Sequence, residues 1–448
     1  MSERVSSDRL LKSKGYSFIE YIEPGVEPEY SDITFSDVIE EFSLLDIGFK
    51  RLFKHQYEAY EELMQGRNIV LVSGTGSGKT EAWFLYFAKM LKSDAGFRAL
   101  ALYPTLALAN DQIKRLARYM SALKREVLQL DSTKKNEYIK LIGKQGLLSK
   151  ISTSNLVVTN PAFLLHDMKK YFVRKESALL SSIYYEISLL VIDELDFYSP
   201  RSLALLLAMV YLLSAISEKT LQVAVLSAGI ANPEDLCNYL ESVTRRKCTV
   251  VRGKPFRVEN RVYVVLGKNL YEVWNIVKNV LATGAMRSEL AYLSKLVSDF
   301  ETFKSNAYYV LSVLEGLGFE VPTLGLDPAE LIAEYFKDKY VTLVFTRSIN
   351  TAEEFVRSIK TKYGSDAPIA SHHHLISKKL REEIEEGARS GRLKVIVSPR
   401  TLSQGIDIGL VSRVVHLGLP DDVREIYQRE GRKGRRPELE FSETIIIP

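Results

Sequence analysis

The chain has 448 residues, of which 46% are hydrophobic and 26% are charged. This length exceeds one ordinary hydrophobic core, so we expect at least two domains. The composition is typical of a soluble globular protein, and no apolar run is long enough to span a bilayer. The polar start, MSERVSSDRLLKSKG, does not resemble a secretory signal, so a cytoplasmic, intracellular location is expected.

Charge and cysteine content restrict the kinds of site. The formal net charge of +4 permits a nucleic-acid partner without requiring one, because binding depends on where basic residues cluster. Two cysteines, Cys237 and Cys248, are too few for a disulfide framework or a four-cysteine zinc site. We therefore expect both to be ordinary packing residues.

Residues 68–80 read NIVLVSGTGSGKT, which predicts a strand, a Gly-rich loop and the start of a helix. Such a loop wraps backbone N–H groups around a phosphate, while a lysine reaches the β and γ phosphates and a threonine hydroxyl binds Mg²⁺. Ser73 replaces the usual first glycine, and a chance Gly/Ser-rich loop is the alternative. The predicted nucleotide-binding residues are Gly74, Thr75, Gly76, Ser77, Gly78, Lys79 and Thr80.

Phe53 and Gln56 lie one turn apart on an amphipathic helix predicted over residues 52–66. A glutamine amide can pair with the donor and acceptor edges of an adenine while an aromatic ring stacks on it. The alternative is a solvated glutamine beside a core phenylalanine. The position shortly before the phosphate loop favours adenine binding.

After the loop the pattern alternates between strand and helix, which predicts a parallel sheet with helices on both faces. Ligands then gather at the carboxyl ends of the strands. Polar or turn residues end three of these strands: Pro104 and Thr105, Thr159 and Asn160, and Asp193 and Glu194. Asp193 is suited to hold Mg²⁺ through its water shell and Glu194 to orient a water molecule, although an Asp-Glu pair is also a common helix-start signal.

The domain organisation follows from two alternating units. We predict an N-terminal arm over residues 1–33, a first domain over 34–255 and a second domain over 256–448. A mostly helical insertion over residues 269–339 interrupts the second domain. Its aromatic spacing favours a helix core over a base-stacking platform.

Two stretches of the second domain carry chemical side chains. His372, His373 and His374 resemble a metal tract, but neighbours on a strand point to opposite faces, so packing or a nucleic-acid contact at a loop end is favoured. In QREGRKGRR, Gln428, Arg432 and Arg435 fall on one side of a helix end. They form either a solvated basic helix or, as favoured here, a set of guanidinium groups that contact a γ-phosphate.

The ordered series HQ, SGTGSGKT, YPTLALANDQ, TNP, DELD, SAG, FTRS, GIDIG and QREGRKGRR resembles a superfamily 2 helicase of the DEAD/DEAH type over residues 53–436. Within that superfamily it is most similar to the Hrq1/YprA-type DNA helicases, with the Ski2-like and Lhr-like groups as neighbours. The resemblance implies an α/β fold of two tandem RecA-like P-loop domains with parallel sheets, and ATP and Mg²⁺ as cofactors.

The resemblance also implies roles for matched positions. Asp407 would contact the ribose and Gln428 would sense the γ-phosphate. Arg432 and Arg435 would act as arginine fingers, which contact the γ-phosphate. The residues implied to grip a nucleic-acid backbone are Pro104, Thr105, Thr159, Asn160, Thr346, Arg347 and Thr401.

The function implied is an ATP-dependent helicase or translocase that moves 3′ to 5′ along DNA, nucleoid-associated in a prokaryote. An RNA-directed ATPase and a nucleotide-gated clamp with weak unwinding are the alternatives. The clamp is considered because Gly229 and Pro399 each stand where the relatives have a threonine. Ser398 or Thr401 is the candidate substitute for the threonine missing at position 399. A protein partner is expected at the helical insertion or at a cysteine-rich C-terminal region, which Hrq1-type relatives carry and this sequence lacks.

Overall fold

A computed structural model shows two compact units, the first formed by Val26–Phe256 and the second by the segments before and after it. The structure describes residues 4–74, 76–104, 106–174, 178–254, 256–283, 288–399, 409–420, 423–434 and 438–448. In that part of the chain, no helix is both long enough and apolar enough to cross a bilayer.

The N-terminal segment belongs to the second unit and not to a separate arm. Helix α1 (Ser7–Ser13) is followed by strand β1 (Ser17–Glu23). This strand pairs antiparallel with a strand that begins at Glu259. The predicted arm over residues 1–33 is therefore divided, with residues up to Gly25 in the second unit and the rest in the first.

The first unit is built on a seven-stranded parallel sheet with the strand order β10-β4-β9-β8-β5-β7-β6. Strands β2 (Tyr30–Thr34) and β3 (Arg51–Phe53) form a separate antiparallel pair. The sheet strands are β4 (Asn68–Ser73), β5 (Ala99–Leu102), β6 (Val127–Gln129), β7 (Leu156–Thr159), β8 (Leu189–Ile192), β9 (Gln222–Ser227) and β10 (Cys248–Gly253).

Helices cover both faces of this sheet and bury two apolar clusters, one on each side. Three of them begin at a proline, whose fixed φ suits the first helical turn. The helices are α2 (Phe35–Val38), α3 (Lys54–Met64), α4 (Lys79–Ser93), α5 (Leu106–Ala122), α6 (Ser132–Thr153), α7 (Pro161–Val173), α8 (Ser181–Glu186), α9 (Pro200–Ile216) and α10 (Pro233–Thr244).

The second unit holds another seven-stranded sheet, of order β1-β11-β16-β15-β12-β14-β13, in which only β1 is antiparallel. Its later strands are β11 (Glu259–Gly267), β12 (Val341–Phe345), β13 (Ile369–Ser371), β14 (Val395–Ser398), β15 (Val411–Leu417) and β16 (Phe441–Ile447). Its later helices are α11 (Leu270–Thr283), α12 (Ser288–Leu296), α13 (Phe300–Gly316), α14 (Pro328–Glu334), α15 (Ile349–Tyr363), α16 (Lys378–Arg389) and α17 (Val423–Glu430).

The stretch between β11 and β12 is helical and has its own core. Helices α11, α12 and α13 share a buried cluster that includes Val273, Val277 and Phe303. The Trp274 indole N–H donates to the Val297 carbonyl at 2.9 Å. The aromatic spacing therefore reflects helix packing, as the periodicity predicted.

A buried ionic network fastens the N-terminal segment to the second unit. The Arg413 guanidinium, 0% exposed, lies 2.8 Å from Glu443 Oε2 and 3.0 Å from Asp338 Oδ2. The Ser7 backbone N–H, at the start of α1, donates to Glu443 Oε1 at 2.9 Å. One guanidinium thus bridges two carboxylates at the place where α1 docks.

Replacing Arg413 with leucine is expected to lower the free energy of unfolding of the second unit by about 3–5 kcal/mol, because two buried carboxylates lose their cation. Urea unfolding followed by circular dichroism measures this. Arg389→Leu, at a surface ion pair, serves as the control and should change stability by less than about 0.5 kcal/mol. Similar losses for both variants would show that the network contributes little.

The two cysteines form a disulfide, which corrects the expectation of ordinary packing. Cys237 on α10 and Cys248 at the start of β10 are bonded, with Cα atoms 5.2 Å apart. Arg245, with a φ of 58°, ends α10 and returns the chain along the helix. Sequence separation alone could not show that this turn brings the two side chains together.

Reducing this disulfide is expected to destabilise the first unit. Opening a loop of this length costs roughly 3 kcal/mol in the chain-entropy account, or roughly 6–12 °C in melting temperature for a unit of this size. Thermal melts with and without dithiothreitol measure the shift. A Cys237→Ser, Cys248→Ser double variant should melt at the lower temperature under both conditions. Equal melting of the parent in both buffers would contradict the prediction.

Candidate nucleotide and nucleic-acid site

The predicted phosphate loop connects β4 to α4 at the carboxyl edge of the first sheet. Gly76 and Gly78 have φ values of 81° and 74°, a region that L side chains rarely adopt. At Gly78, a Cβ would also lie 2.1 Å from Gln56 Nε2. Both glycines are therefore required by the shape of the loop. Thr75 lies outside the described residues.

Lys79 begins α4 and turns its ammonium back over the loop. Its Nζ donates to the Ser73 carbonyl at 3.0 Å and lies 4.0 Å from Glu194 Oε2. The side chain is 6% exposed, so its charge acts in a poorly solvated region. The neighbouring Thr80 hydroxyl donates to Gln112 Oε1 at 3.1 Å.

Two carboxylates lie beside this lysine, immediately after β8. Asp193 is 3% exposed and accepts from the Glu194 backbone N–H at 2.8 Å. Glu194 has a φ of 50°, an uncommon conformation for a non-glycine residue and one found at functional sites. Its Oε2 is buried with no hydrogen-bond partner among the described residues.

Burial raises the pKa of Asp193 to about 7, and the negative charge of Glu194 adds to the rise, while Lys79 opposes it. Ionising this carboxyl is therefore costly unless a further cation is near. Two carboxylates and the Thr80 hydroxyl are oxygen donors, which Mg²⁺ prefers. The residues present thus fit a magnesium-bound nucleotide.

Gln56 is directed to the protein backbone. Its Oε1 accepts from the Phe53 N–H at 2.9 Å, and its Nε2 donates to the Gly78 carbonyl at 2.9 Å. The side chain is 2% exposed, which contradicts the solvated alternative. One N–H and one lone pair of the amide remain for a ligand, so adenine binding stays a prediction. Phe53 stacks on His55 with ring centroids 5.5 Å apart.

The candidate nucleic-acid residues of the first unit end two adjacent strands, β5 and β7. Pro104 is half-buried. Thr159 is 3% exposed and its hydroxyl donates to the Leu130 carbonyl, so this hydroxyl serves the fold. The Asn160 side chain accepts from the Phe163 N–H at 2.9 Å and caps α7. Thr105 lies outside the described residues.

In the second unit, Thr346 and Arg347 follow β12. The Thr346 hydroxyl is buried and donates to the Ser348 carbonyl at 3.0 Å. Arg347 is exposed, and its side chain lies against Gly418 so closely that a Cβ there would approach Nε to 2.7 Å. Of the two, Arg347 has the side chain that a phosphate could reach. Thr401 and Asp407 lie outside the described residues.

Gln428 lies on α17, but Arg432 does not, because the helix ends at Glu430. A turn follows, in which the Arg432 N–H donates to the Arg429 carbonyl at 3.2 Å. The predicted helical alignment of Gln428 with the arginines is therefore wrong for Arg432. Arg435 lies outside the described residues.

Comparisons with known proteins match both units in order. The DEAD/DEAH box helicase family matches residues 53–236, and the helicase conserved C-terminal domain matches residues 328–437. The chain belongs to the DEAD/DEAH-type helicases of superfamily 2. Its two largely parallel sheets correspond to the two tandem domains of that family.

Relatives of this chain include the uncharacterized ATP-dependent helicase YprA of Bacillus subtilis, 27% identical over 89% of this chain and 46% of the relative. The ATP-dependent helicase Lhr-Core of Methanothermobacter thermautotrophicus is 24% identical over 89% of this chain and 43% of the relative. The chain therefore spans about half the length of the curated relatives that it matches.

Two solved structures share the fold of this chain. The DUF1998 helicase MrfA bound to DNA superposes with a TM-score of 0.67 at 23% identity, over 99% of this chain and 56% of that chain. The Mycobacterium smegmatis helicase Lhr bound to single-stranded DNA and AMP-PNP superposes with a TM-score of 0.60 at 19% identity, over 94% of this chain and 48% of that chain.

Sequence reasoning missed the role of Asp196, the last residue of the DELD motif. Its Oδ1 accepts from the Ser227 hydroxyl at 3.0 Å and from the Ala228 N–H at 2.9 Å. The carboxylate thus joins the acidic motif to the SAG motif. The signal was available, since the DELD motif contains a third acidic residue, three positions after Asp193.

A second missed cluster supports the turn that carries Arg432. Glu430 Oε1 lies 2.9 Å from His416 Nε2, and the buried Lys433 ammonium donates to Glu430 and to Thr444. Burial alone would raise the pKa of Glu430, but Lys433 and His416 lower it to about 2. These pairs anchor both sides of the turn to the sheet.

Two residues of the histidine tract contact two different carboxylates. His372 Nε2 lies 3.1 Å from Glu385 Oε1, and His373 Nε2 lies 2.6 Å from Glu353 Oε1. His374 is exposed. Within the described ranges, no group of three or more His, Cys, Asp or Glu side chains could hold a metal ion. The buried contacts of His372 and His373 with these two carboxylates favour packing.

Proposed function

We propose that this chain is the ATP-driven motor of a helicase or translocase that moves 3′ to 5′ along single-stranded DNA. The observation that carries the proposal is the buried cluster of Lys79, Asp193 and Glu194 beside the phosphate loop. The structures of MrfA bound to DNA and of Lhr bound to single-stranded DNA support DNA as the nucleic acid. A loop and acidic pair alone would also fit other P-loop enzymes, whereas the second unit would not.

Each residue of the cluster has a separate task in hydrolysis. Lys79 binds the β and γ phosphates, and its positive charge stabilises the negative charge that develops in the transition state. The carboxylate of Glu194 orients the attacking water and accepts its proton. Thr80 and Asp193 would hold Mg²⁺, which, when bound, neutralises phosphate charge.

The second unit supplies the groups that respond to nucleotide. We assign the γ-phosphate contact to Gln428, Arg432 and Arg435, and the ribose contact to Asp407, from the family resemblance. Arg347 contributes a guanidinium to the sugar-phosphate backbone of the bound strand. Binding and hydrolysis of ATP would then cause the two units to bind the strand alternately.

Steady-state ATP hydrolysis tests this proposal. The parent protein is assayed alone, with an oligo-dT strand, and with an RNA strand of the same length and sequence. The proposal predicts strong stimulation by DNA and weaker stimulation by RNA. Stronger stimulation by RNA would favour an RNA-directed ATPase, and indifference to both would contradict a nucleic-acid motor. Duplexes with a 3′ or a 5′ tail then test direction.

A nucleotide-gated clamp is the second candidate, because Gly229 lacks the hydroxyl found in relatives. The site has room for one: a Cβ at Gly229 would meet nothing within 4 Å. The residue is not among the glycines with positive φ. Normal ATP turnover by the parent without displacement of a labelled strand would support the clamp.

Gly229→Thr is expected to raise the number of base pairs unwound per ATP by about fivefold. This factor corresponds to one hydrogen bond of roughly 1 kcal/mol, made by the added hydroxyl. The ATPase rate itself should change less than about twofold, because the substitution does not touch Lys79 or Glu194. Gly229→Ala adds the Cβ without the hydroxyl and should behave like the parent. Equal unwinding by all three proteins would contradict the prediction.

A further inference from the structure

The second sheet ends in an open edge at β13. Among the described strands, β13 pairs only with β14. The His372 N–H donates to the Val397 carbonyl at 2.8 Å, and the Pro368 carbonyl accepts from Val395 at 3.1 Å. Because N–H and C=O groups alternate in direction along a parallel strand, the N–H and C=O of Ser371 point away from the sheet.

Helices on opposite faces of the sheet turn this edge into a groove. Helix α15 packs on one face with Val356, and α16 packs on the other with Ile384. Between them lies a cavity of about 730 Å³ that includes Ala370 and Ser371 of the edge strand. We call it the β13 groove. An extended chain in this groove would lie alongside the outward groups of Ser371.

The side chains that line the β13 groove are apolar along its walls and basic at its rim. Val356, Ile376, Leu380 and Ile384 supply the apolar surface, and Leu380 is 44% exposed. Arg357 and Lys360 lie one turn apart on α15. Neither cation forms an ion pair within 4 Å of a carboxylate in the described part of the chain, but Arg357 interacts electrostatically with Glu353 at longer range.

The carboxylate of Glu353, which also lines the groove, already has two hydrogen-bond partners. Glu353 Oε1 accepts from the Ser371 hydroxyl at 2.6 Å and lies 2.6 Å from His373 Nε2. It is therefore a poor partner for an arriving cation. Arg357 and Lys360 therefore present positive charge to a ligand at the rim.

We propose that the β13 groove binds an extended segment of a partner protein, which adds a strand to β13 and alternates apolar side chains with carboxylates. The backbone of such a segment would pair with Ser371, its apolar side chains would contact Leu380 and Ile384 on the α16 side, and its carboxylates would meet Arg357 and Lys360 on the α15 side. This inference concerns a protein partner and does not depend on the proposed motor function.

The apolar lining favours a peptide over a nucleic-acid strand. A sugar-phosphate backbone has no regular N–H and C=O ladder to pair with Ser371, and it gains little from apolar walls. A peptide strand uses all three features of the groove. Because β13 has only three residues, its backbone pairing is limited and the side chains must supply much of the specificity.

The test uses the full chain and a fluorescein-labelled heptapeptide of alternating valine and glutamate, followed by fluorescence anisotropy. The proposal predicts saturable binding that protects the Ser371 amide from hydrogen exchange. A valine-lysine heptapeptide should bind at least about tenfold more weakly, a difference of roughly 1.4 kcal/mol. No binding of the acidic peptide, or equal binding of both, would overturn the proposal.

Charge-reversed variants separate the groove from general attraction to a basic protein. Arg357→Glu with Lys360→Glu is expected to weaken the acidic peptide at least about tenfold. The matched control reverses Lys378 and Lys379 on α16, whose side chains are 84% and 88% exposed and outside the groove. It changes the net charge equally and should leave affinity within about twofold. Equal loss in both variants would overturn the proposal.

A backbone substitution tests strand addition itself. Ser371→Pro removes an outward N–H that the sheet does not use, whereas Ser371→Ala removes only the hydroxyl. The proposal predicts at least about tenfold weaker binding for the proline variant than for the alanine variant. Equal binding would overturn strand addition. Competition by an oligo-dT strand that protects the same amide would reassign the groove to nucleic acid.

Discussion

Glu194→Gln is expected to lower the kcat for ATP hydrolysis by about 10²–10⁴-fold, the usual contribution of a general base. The amide keeps the size of the side chain but cannot accept the proton of the attacking water. Nucleotide affinity should change little, because Lys79 and the phosphate loop are untouched. Steady-state hydrolysis and equilibrium binding of a fluorescent ATP analogue measure the two effects separately.

The same substitution should change the titration of Asp193. The pKa of Asp193 is raised first by burial and next by the charge of Glu194, and the glutamine removes the second cause. The pKa of Asp193 should therefore fall below about 7, so that the carboxylate stays ionised at lower pH. The acid limb of magnesium-dependent nucleotide binding is expected to move to lower pH.

Glu137→Gln is the control for both measurements, since Glu137 is exposed in a surface ion pair with Lys134. It should leave kcat and the pH profile unchanged. A Glu194→Gln protein that hydrolyses ATP at the parent rate would remove Glu194 from the reaction. It would also remove the main support for the motor function.

Arg432→Lys is expected to lower kcat by about 10³-fold while the KM for ATP changes far less. Arginine fingers contribute about this much to phosphoryl transfer, and a lysine keeps the charge but loses the planar fork that contacts two oxygens. The turn that carries Arg432 is anchored by Glu430 and Lys433, so the substitution should not alter the fold. Steady-state ATPase assays at saturating DNA measure the effect.

The control is Arg389→Lys, which keeps a surface ion pair with Glu386. It should retain the parent kcat. A normal kcat for Arg432→Lys would show that this arginine is not a finger. It would leave Arg435 as the remaining arginine for that role.

Much of the candidate nucleotide site could be predicted from the sequence, because the phosphate loop and its flanking strand and helix are contiguous. The positive φ values of Gly76 and Gly78 are local properties of a tight loop. The acidic pair was also recognisable, since Asp193 and Glu194 follow a short apolar strand. Their closeness to Lys79 follows from the parallel sheet, whose strand ends share one edge.

The bonding of several predicted residues could not be deduced in this way. Gln56 is bound to Gly78, and the Thr159 hydroxyl is bound to Leu130, although each type of side chain is also common in ligand sites. Sequence spacing places a residue on an element. It does not show which backbone group its polar atoms meet across the fold.

The amino-acid sequence by itself determined the order of the motifs, the two alternating α/β units and the helical character of the insertion, because these depend on local periodicity and short loops. Only the tertiary structure decided that α1 and β1 complete the second unit, that Cys237 bonds Cys248, and that α15 and α16 enclose the edge of β13. These features depend on contacts between residues far apart in the chain, such as Ser7 and Glu443, 436 positions apart. A local sequence pattern does not indicate which distant residues form such pairs.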